Sequence, residues 1–87
     1  MIQLDVIRYY DKTCCVNNIK INGKVVSVFD EEKNKIDFSC LIGYENQPIK
    51  ILYFDEEKDG QLVLSEEVNS ILRRITEENN IKTLVFD

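Results

Sequence analysis

The densest chemistry in the sequence lies between Asp55 and Glu66. Asp55, Glu57 and Asp59 alternate ahead of Gly60, and Leu62 and Glu66 follow. Those spacings match positions one, three, five, six, eight and twelve of a twelve-residue calcium loop, in which carboxylates cage the cation and a glycine permits the sharp turn. Three departures weigh against that chemistry. Glu57 is longer than the Asp or Asn preferred at its position, and the entering segment Pro48–Phe54 reads as strand rather than helix. The apolar stripe after the loop also begins at Val68, one residue later than a twelfth-position Glu66 requires. An acidic turn accounts for the residues more simply, so no metal ligand set is assigned and no cofactor is expected.

A second acidic run, Asp30-Glu31-Glu32, precedes Lys33 just as Asp55-Glu56-Glu57 precedes Lys58, each directly after a β-rich run ending in phenylalanine. The match does not extend on either side. Carboxylates in such loops usually serve solubility alone. Their functional reading is a docking surface for a basic partner, and the candidate protein-binding residues are Asp30, Glu31, Glu32, Asp55, Glu56 and Glu57.

Other reactive groups offer less. The sequence contains no histidine, so nothing completes a zinc set or activates a thiolate. Cys14 and Cys15 are adjacent, which on a strand sends them to opposite faces, and Cys40 sits in an apolar alternation; all three suit a role as small hydrophobes. Carboxylates, lysines and tyrosines are available for acid–base work, but no nucleophile motif or phosphate loop stands beside them. No catalytic residue is assigned, and the chain is read as non-enzymatic. A small carboxylate-dependent enzyme is the remotest alternative. Arg73-Arg74 is expected to pair with Glu77 and Glu78, and Tyr9, Tyr10, Tyr44 and Tyr53 are divided between core and interface.

Composition sets the frame. With 87 residues the chain makes one domain, spanning 1–87, with 44% hydrophobic and 31% charged residues, ordinary for a folded protein. A net charge of −5 disfavours direct binding to nucleic-acid phosphates and favours a basic protein surface. No apolar run reaches the roughly 18 residues of a membrane span, and Met1–Asp5 carries neither a basic leader nor an apolar stretch. Three cysteines without a secretory signal read as reduced thiols, so a cytoplasmic setting is expected. The abundance of Ile, Lys and Asn suits an AT-rich genome of bacterial or phage type.

The elements that must position these residues follow from periodicity. Ile2, Leu4 and Val6 alternate with polar residues as in a half-buried strand, with a bulge expected near Val6-Ile7. Asn22-Gly23 joins two β-rich runs as a type I′ hairpin, pairing Ile21 with Lys24, Ile19 with Val26 and Asn17 with Val28. Ile36, Phe38, Cys40 and Ile42 predict another strand, Ile49–Phe54 a central one and Ile81–Phe86 a last one. Val68, Ile71, Leu72 and Ile75 fall at i, i+3, i+4 and i+7, predicting an amphipathic helix over 65–79 with Ser65 as N-cap and Asn79-Asn80 at its end. The expected architecture is α+β: a mainly antiparallel twisted sheet of five to six strands, partly rolled, with that helix on one face. Its expected core is Ile19, Ile21, Val26, Val28, Phe38, Ile51, Val68, Ile71, Leu72, Ile75 and Val85. An up-and-down meander would gather Asp11 and the two acidic loops at one end. The expected function is protein binding, as an adaptor or inhibitor, through the acidic loops or an open sheet edge. A homodimer would be a further way to cover apolar surface.

Overall fold

Asn22 and Gly23, both at positive φ, make the tight turn anticipated from their sequence, and the strands they join set the edge of a six-stranded sheet. The computed structural model describes residues 1–79 and 81–87. Its strands are β1 (Ile2–Arg8), β2 (Cys14–Ile21), β3 (Lys24–Val28), β4 (Gln47–Glu56), β5 (Leu62–Glu78) and β6 (Ile81–Phe86), in the spatial order β3-β2-β1-β4-β5-β6. Two antiparallel meanders, β1–β3 and β4–β6, are thus joined along one parallel seam, in which Ile2 faces Ile49 and Arg8 faces Asp55. A parallel seam requires a crossover. Residues 29–46 supply it and cover the inner face of the curled sheet.

The α+β expectation is wrong. Strands and bridges make up 64% of the described residues, among which no helix of seven or more residues occurs. The segment read as an amphipathic helix is strand β5, 17 residues long. Its stripe arises from two strand phases. Val68 pairs with Ile51, placing it and Leu72 on the inner face; an irregularity between Leu72 and Arg74 then shifts the alternation, and Ile75 returns to that face opposite Leu84. Ile71, opposite Pro48, belongs to the outer face. Alternation, a bulge and one outward isoleucine together imitate a helical period. Val68, Ile71, Ile75 and Thr76 are also β-branched, which favours the pleated state. Asn79 does take positive φ, as a turn residue after β5 rather than as a helix cap; Asn80 lies outside the described residues.

The strand predicted at 36–42 is likewise absent. That stretch belongs to the crossover and contains a 3-10 turn, Ser39–Leu41, which buries Leu41 completely. Leu41, off the expected alternation, joins Ile2, Leu4, Val6, Ile19, Ile49, Ile51 and Leu72 in the core with Ile36, Phe38 and Cys40 packed against it, so this stretch serves as a plug while Ile42 is exposed. The crossover is tied to both edges of the sheet. Ser27 of β3 donates to the Asp37 carbonyl at 2.9 Å, and Lys82 of β6 donates to Ser39 Oγ at 2.7 Å while lying 3.6 Å from the Asp37 carboxylate. The Asp37 carboxyl is held below its usual range, first by the Ser39 hydroxyl and amide and then by Lys82.

Two bulges correct the expected register and core. Val6 pairs with Val16 although Asp5 pairs with Asn18, so the extra residue is Asn17 on β2, opposite the step before Val6. In the hairpin, Ile21 does face Lys24, but Ile19 faces Ser27 and Asn18 faces Val28. That shift leaves Val26 and Val28 exposed rather than in the core. Ile71 and Val85 are only half buried and stand apart from the core cluster. On the outer face Asp5 is buried, accepting from Gln3 Nε2 at 2.8 Å and Asn18 Nδ2 at 3.0 Å, with Lys20 at 3.9 Å. These partners offset the desolvation of its charge.

Candidate functional site

Strand direction decides where the acidic loops go. Because β4 runs parallel to β1, the ends of both strands emerge on the same side, together with the end of β3. Residues 9–13, 29–35 and 57–61 therefore share one end of the sheet. The expected meander would have put them there through a fourth strand; the crossover does so instead. Residues 8–13, 29–35 and 55–66 carry nine carboxylates against five basic side chains, a net −4 of the protein's −5.

Two of the three loops are built alike. Tyr9 N donates to the Thr13 carbonyl at 2.7 Å and Lys12 N to the Tyr9 carbonyl at 2.9 Å, with Lys12 at φ +77°. Glu57 N donates to the Gln61 carbonyl at 2.7 Å and Gly60 N to the Glu57 carbonyl at 2.9 Å, with Gly60 at φ +88°. Both are three-residue hairpin loops whose last residue takes the left-handed conformation. Gly60 does so without steric cost, whereas Lys12 has a Cβ that opposes it. In the third loop Asp30 and Lys35 exchange backbone hydrogen bonds, and the Asp30 carboxylate accepts the amides of Glu32 and Lys33 at 3.0 and 3.2 Å. Asp30 therefore shapes its turn.

Arg8 stands at the centre of this end. Its Nε donates to Asp55 Oδ1 at 2.6 Å, Nη2 to Ser65 Oγ at 2.6 Å and Nη1 to Glu66 Oε1 at 3.4 Å, and its guanidinium lies 4.8 Å from the centre of the Tyr53 ring. Ser65 in turn donates to the Tyr53 carbonyl at 3.2 Å. The Arg8 hydrogen bond is the largest influence holding the Asp55 carboxyl below its usual range, with Ser65 adding to it. Asp55 raises Arg8 in return. The predicted residues thus divide. Asp55 is committed to Arg8, Asp30 to its own turn, and Glu56 accepts the Tyr10 amide at 3.1 Å. Glu31, Glu32 and Glu57 are exposed, and their carboxylates take no hydrogen bond or ion pair from the described residues.

The calcium spacing in 55–66 does not close into a cage. Asp55 and Glu66 share Arg8, and Asp59 accepts the Gln61 amide at 3.0 Å within its turn. Among the described residues no group of three or more Cys, His, Asp or Glu side chains is placed to hold a metal ion. A shallow depression at this end is lined by Arg8, Tyr9, Tyr10, Lys12 and residues 55–57. Arg73, expected to pair along a helix, instead donates to Asp87 at 2.6 Å and to Asn46 at 3.3 Å, bracing the end of β6. The three cysteines are free thiols, and the Cys15 thiol donates to the Tyr9 hydroxyl at 3.5 Å.

Arg8 was not singled out from the sequence, although a signal existed. It continues the inner-face phase of Ile2, Leu4 and Val6, and a charge in that phase at a strand end needs partners. No helix among the described residues is long and apolar enough to cross a membrane. No family model matches the chain, and neither a curated protein nor a solved structure matches it.

Proposed function

We propose that this protein is a non-catalytic binding module that docks a basic protein surface through its carboxylate-rich end. The observation that carries the reading is the concentration of net charge, −4 of −5, in three loops and the strand ends beside them at one end of the sheet, with Glu31, Glu32 and Glu57 uncommitted there. Such a patch steers a basic partner and makes association salt-dependent. Free thiols fit a reducing, cytoplasmic setting, and a small acidic adaptor or inhibitor of bacterial or phage type fits the composition. Calcium binding by Asp55–Glu66 is the weaker alternative, because a cation there would have to displace Arg8 from both Asp55 and Glu66.

The test is affinity capture from the native host, with a variant carrying lysine at Glu31, Glu32, Glu56 and Glu57. Capture should be lost in the variant and weaken with salt in the parent, while thermal melts of the two proteins stay close. Capture that survives reversal refutes the acidic end as the docking surface.

A second reading has its own support. β3 and β6 are terminal strands of the sheet, and Val25, Val26, Ile81 and Phe86 are exposed along them. Open edges invite strand addition, from a partner or from a second copy. Light scattering across concentrations separates the two cases.

A further inference from the structure

The two edges of the sheet are not equally open. On β3 the pairing with β2 is interrupted by a bulge at Val26, and Lys24 stands at the start of the strand. The chain leaving β3 also folds back beside it: Asp30 and Lys35 exchange backbone hydrogen bonds, and Ser27 donates to the Asp37 carbonyl at 2.9 Å. Bulges, lysines and covering chain are the usual protections of a sheet edge. β6 has none of them. Its residues Ile81–Phe86 include no proline, and the bulge in its pairing with β5 lies at Arg73, on β5. Its one lysine, Lys82, is turned inward to Ser39 and Asp37. Among the described residues no strand lies on its far side. The Asp87 amide donates to the Ile71 carbonyl of β5 at 3.0 Å. Alternate residues of a strand aim their backbone groups at opposite neighbours, so Ile81, Thr83 and Val85 face β5 as Asp87 does. Lys82, Leu84 and Phe86 then present their amides and carbonyls to the open side.

We infer that this edge is filled by β6 of a second copy of the chain, running antiparallel about a two-fold axis. The inference rests on the open-edge reading above and names both the edge and its occupant. One register satisfies the edge completely. With Leu84 opposite the second copy's Leu84, Lys82 falls opposite Phe86 on either side, and all of their open amides and carbonyls are matched. A shift of two residues leaves an outer pair unmatched, and a shift of one turns the inner face of one copy against the outer face of the other. The matched register also lays the Lys82 stem beside the second copy's Phe86, which is 37% exposed, and sets Thr83 opposite Val85. Charge permits the meeting. Residues 71–87 carry three basic and three acidic side chains, so two copies meet at a neutral strip although each has a net charge of −5. A basic partner of the kind the acidic end attracts would gain nothing from charge at this edge.

Amide hydrogen exchange of the whole chain, followed by NMR across a dilution series beside light scattering, tests the inference. An interface of one strand per copy is small, so the dimer should dissociate on dilution. In the dilute monomer the amides of Lys82, Leu84 and Phe86 should exchange freely. Where about nine molecules in ten are paired, they should slow about tenfold, because only the monomer exposes them. Thr83 and Val85, bonded to β5, should be protected at every concentration. Phe86→Pro, which removes an open amide at an exposed position, should give a folded monomer. A parent that stays monomeric at every concentration, with the three amides exchanging freely, overturns the second copy and leaves the edge open to another strand. Protection of those amides in the monomer overturns the open edge as well. Protection that grows with concentration at Lys24–Val28 instead assigns the dimer to β3 and overturns the choice of β6.

Discussion

Alanine at Leu72 and alanine at Ile71 should have very different costs, although the residues are adjacent and lie on one stripe of a helical wheel. Leu72 has no exposed surface and packs in the core cluster; Ile71 faces Pro48 on the outer side and is half buried. Truncating a fully buried leucine costs about 2–5 kcal/mol, from lost transfer energy and the residual cavity. Ile71, whose side chain is partly exposed, should cost less, about 1–1.5 kcal/mol. A chain of this length has a total stability of about 4–13 kcal/mol, so Leu72→Ala removes a large part of it. With a urea dependence of about 1 kcal/mol per molar, the midpoint should fall by about 2–5 M for Leu72→Ala and about 1–1.5 M for Ile71→Ala. Urea unfolding followed by far-UV circular dichroism measures both. If Leu72→Ala proves too unstable to fold, Leu72→Val, about 1 kcal/mol, serves in its place beside the conservative Ile71→Val, which should be nearly neutral. Equal losses at the two positions, with a helical spectrum, would refute the strand and the bulge at Arg73 together.

Lys12→Gly should stabilise the protein by about 0.5–1 kcal/mol, since it relieves a Cβ at φ +77° while adding some unfolded-state entropy; a loss of stability would deny the left-handed turn. Asp11, Asp37, Asp55 and Asp87 are all held below their ordinary range in the folded state, so the stability they contribute is present above the usual carboxylate pKa. It is lost as pH falls through their folded values, and thermal midpoints should decline below about pH 4. Arg8→Met should lower the midpoint at neutral pH and lose that effect in acid, where Asp55 is protonated; a pH-independent difference would remove Arg8–Asp55 as its cause. Millimolar calcium against chelator should leave the midpoint unmoved, because Arg8 occupies Asp55 and Glu66, and a rise would restore the calcium loop.

What the sequence disclosed was local. The turn at Asn22-Gly23, the alternation through Ile2–Val6 and the run Ile49–Phe54 each follow from dihedral preference and a period of two within a few residues. Leu41 was hidden because its burial depends on a curled sheet for it to plug, which no nearby residue encodes. β5 was misread because a bulge resets the strand phase in mid-run, and the sum of two phases passes for a helix. The pairing of β1 with β4 links residues 47 positions apart, and nothing in either strand names the other. At the acidic end, the gathering of loops was legible from strand direction, but the division of labour among carboxylates was not. Asp30 and Asp55 resemble Glu31 and Glu57 in sequence, and only the short reach that lets aspartate cap a turn or grip Arg8 separates them.

The parallel seam also has a consequence in time. Each meander is closed by turns of a few residues and can form on its own, so β1–β3 and β4–β6 should be early structures. The seam must then bring together segments separated by an entire crossover, and it gains contacts only after that loop has been closed. Folding should accordingly be slow for so small a domain, in the range of milliseconds to seconds typical of sheets rich in distant pairings. The late step should be the seating of Leu41, since that residue is buried only once both halves are in place. A substitution there would be felt mainly in the unfolding rate, and the seam would determine how long the native state lasts.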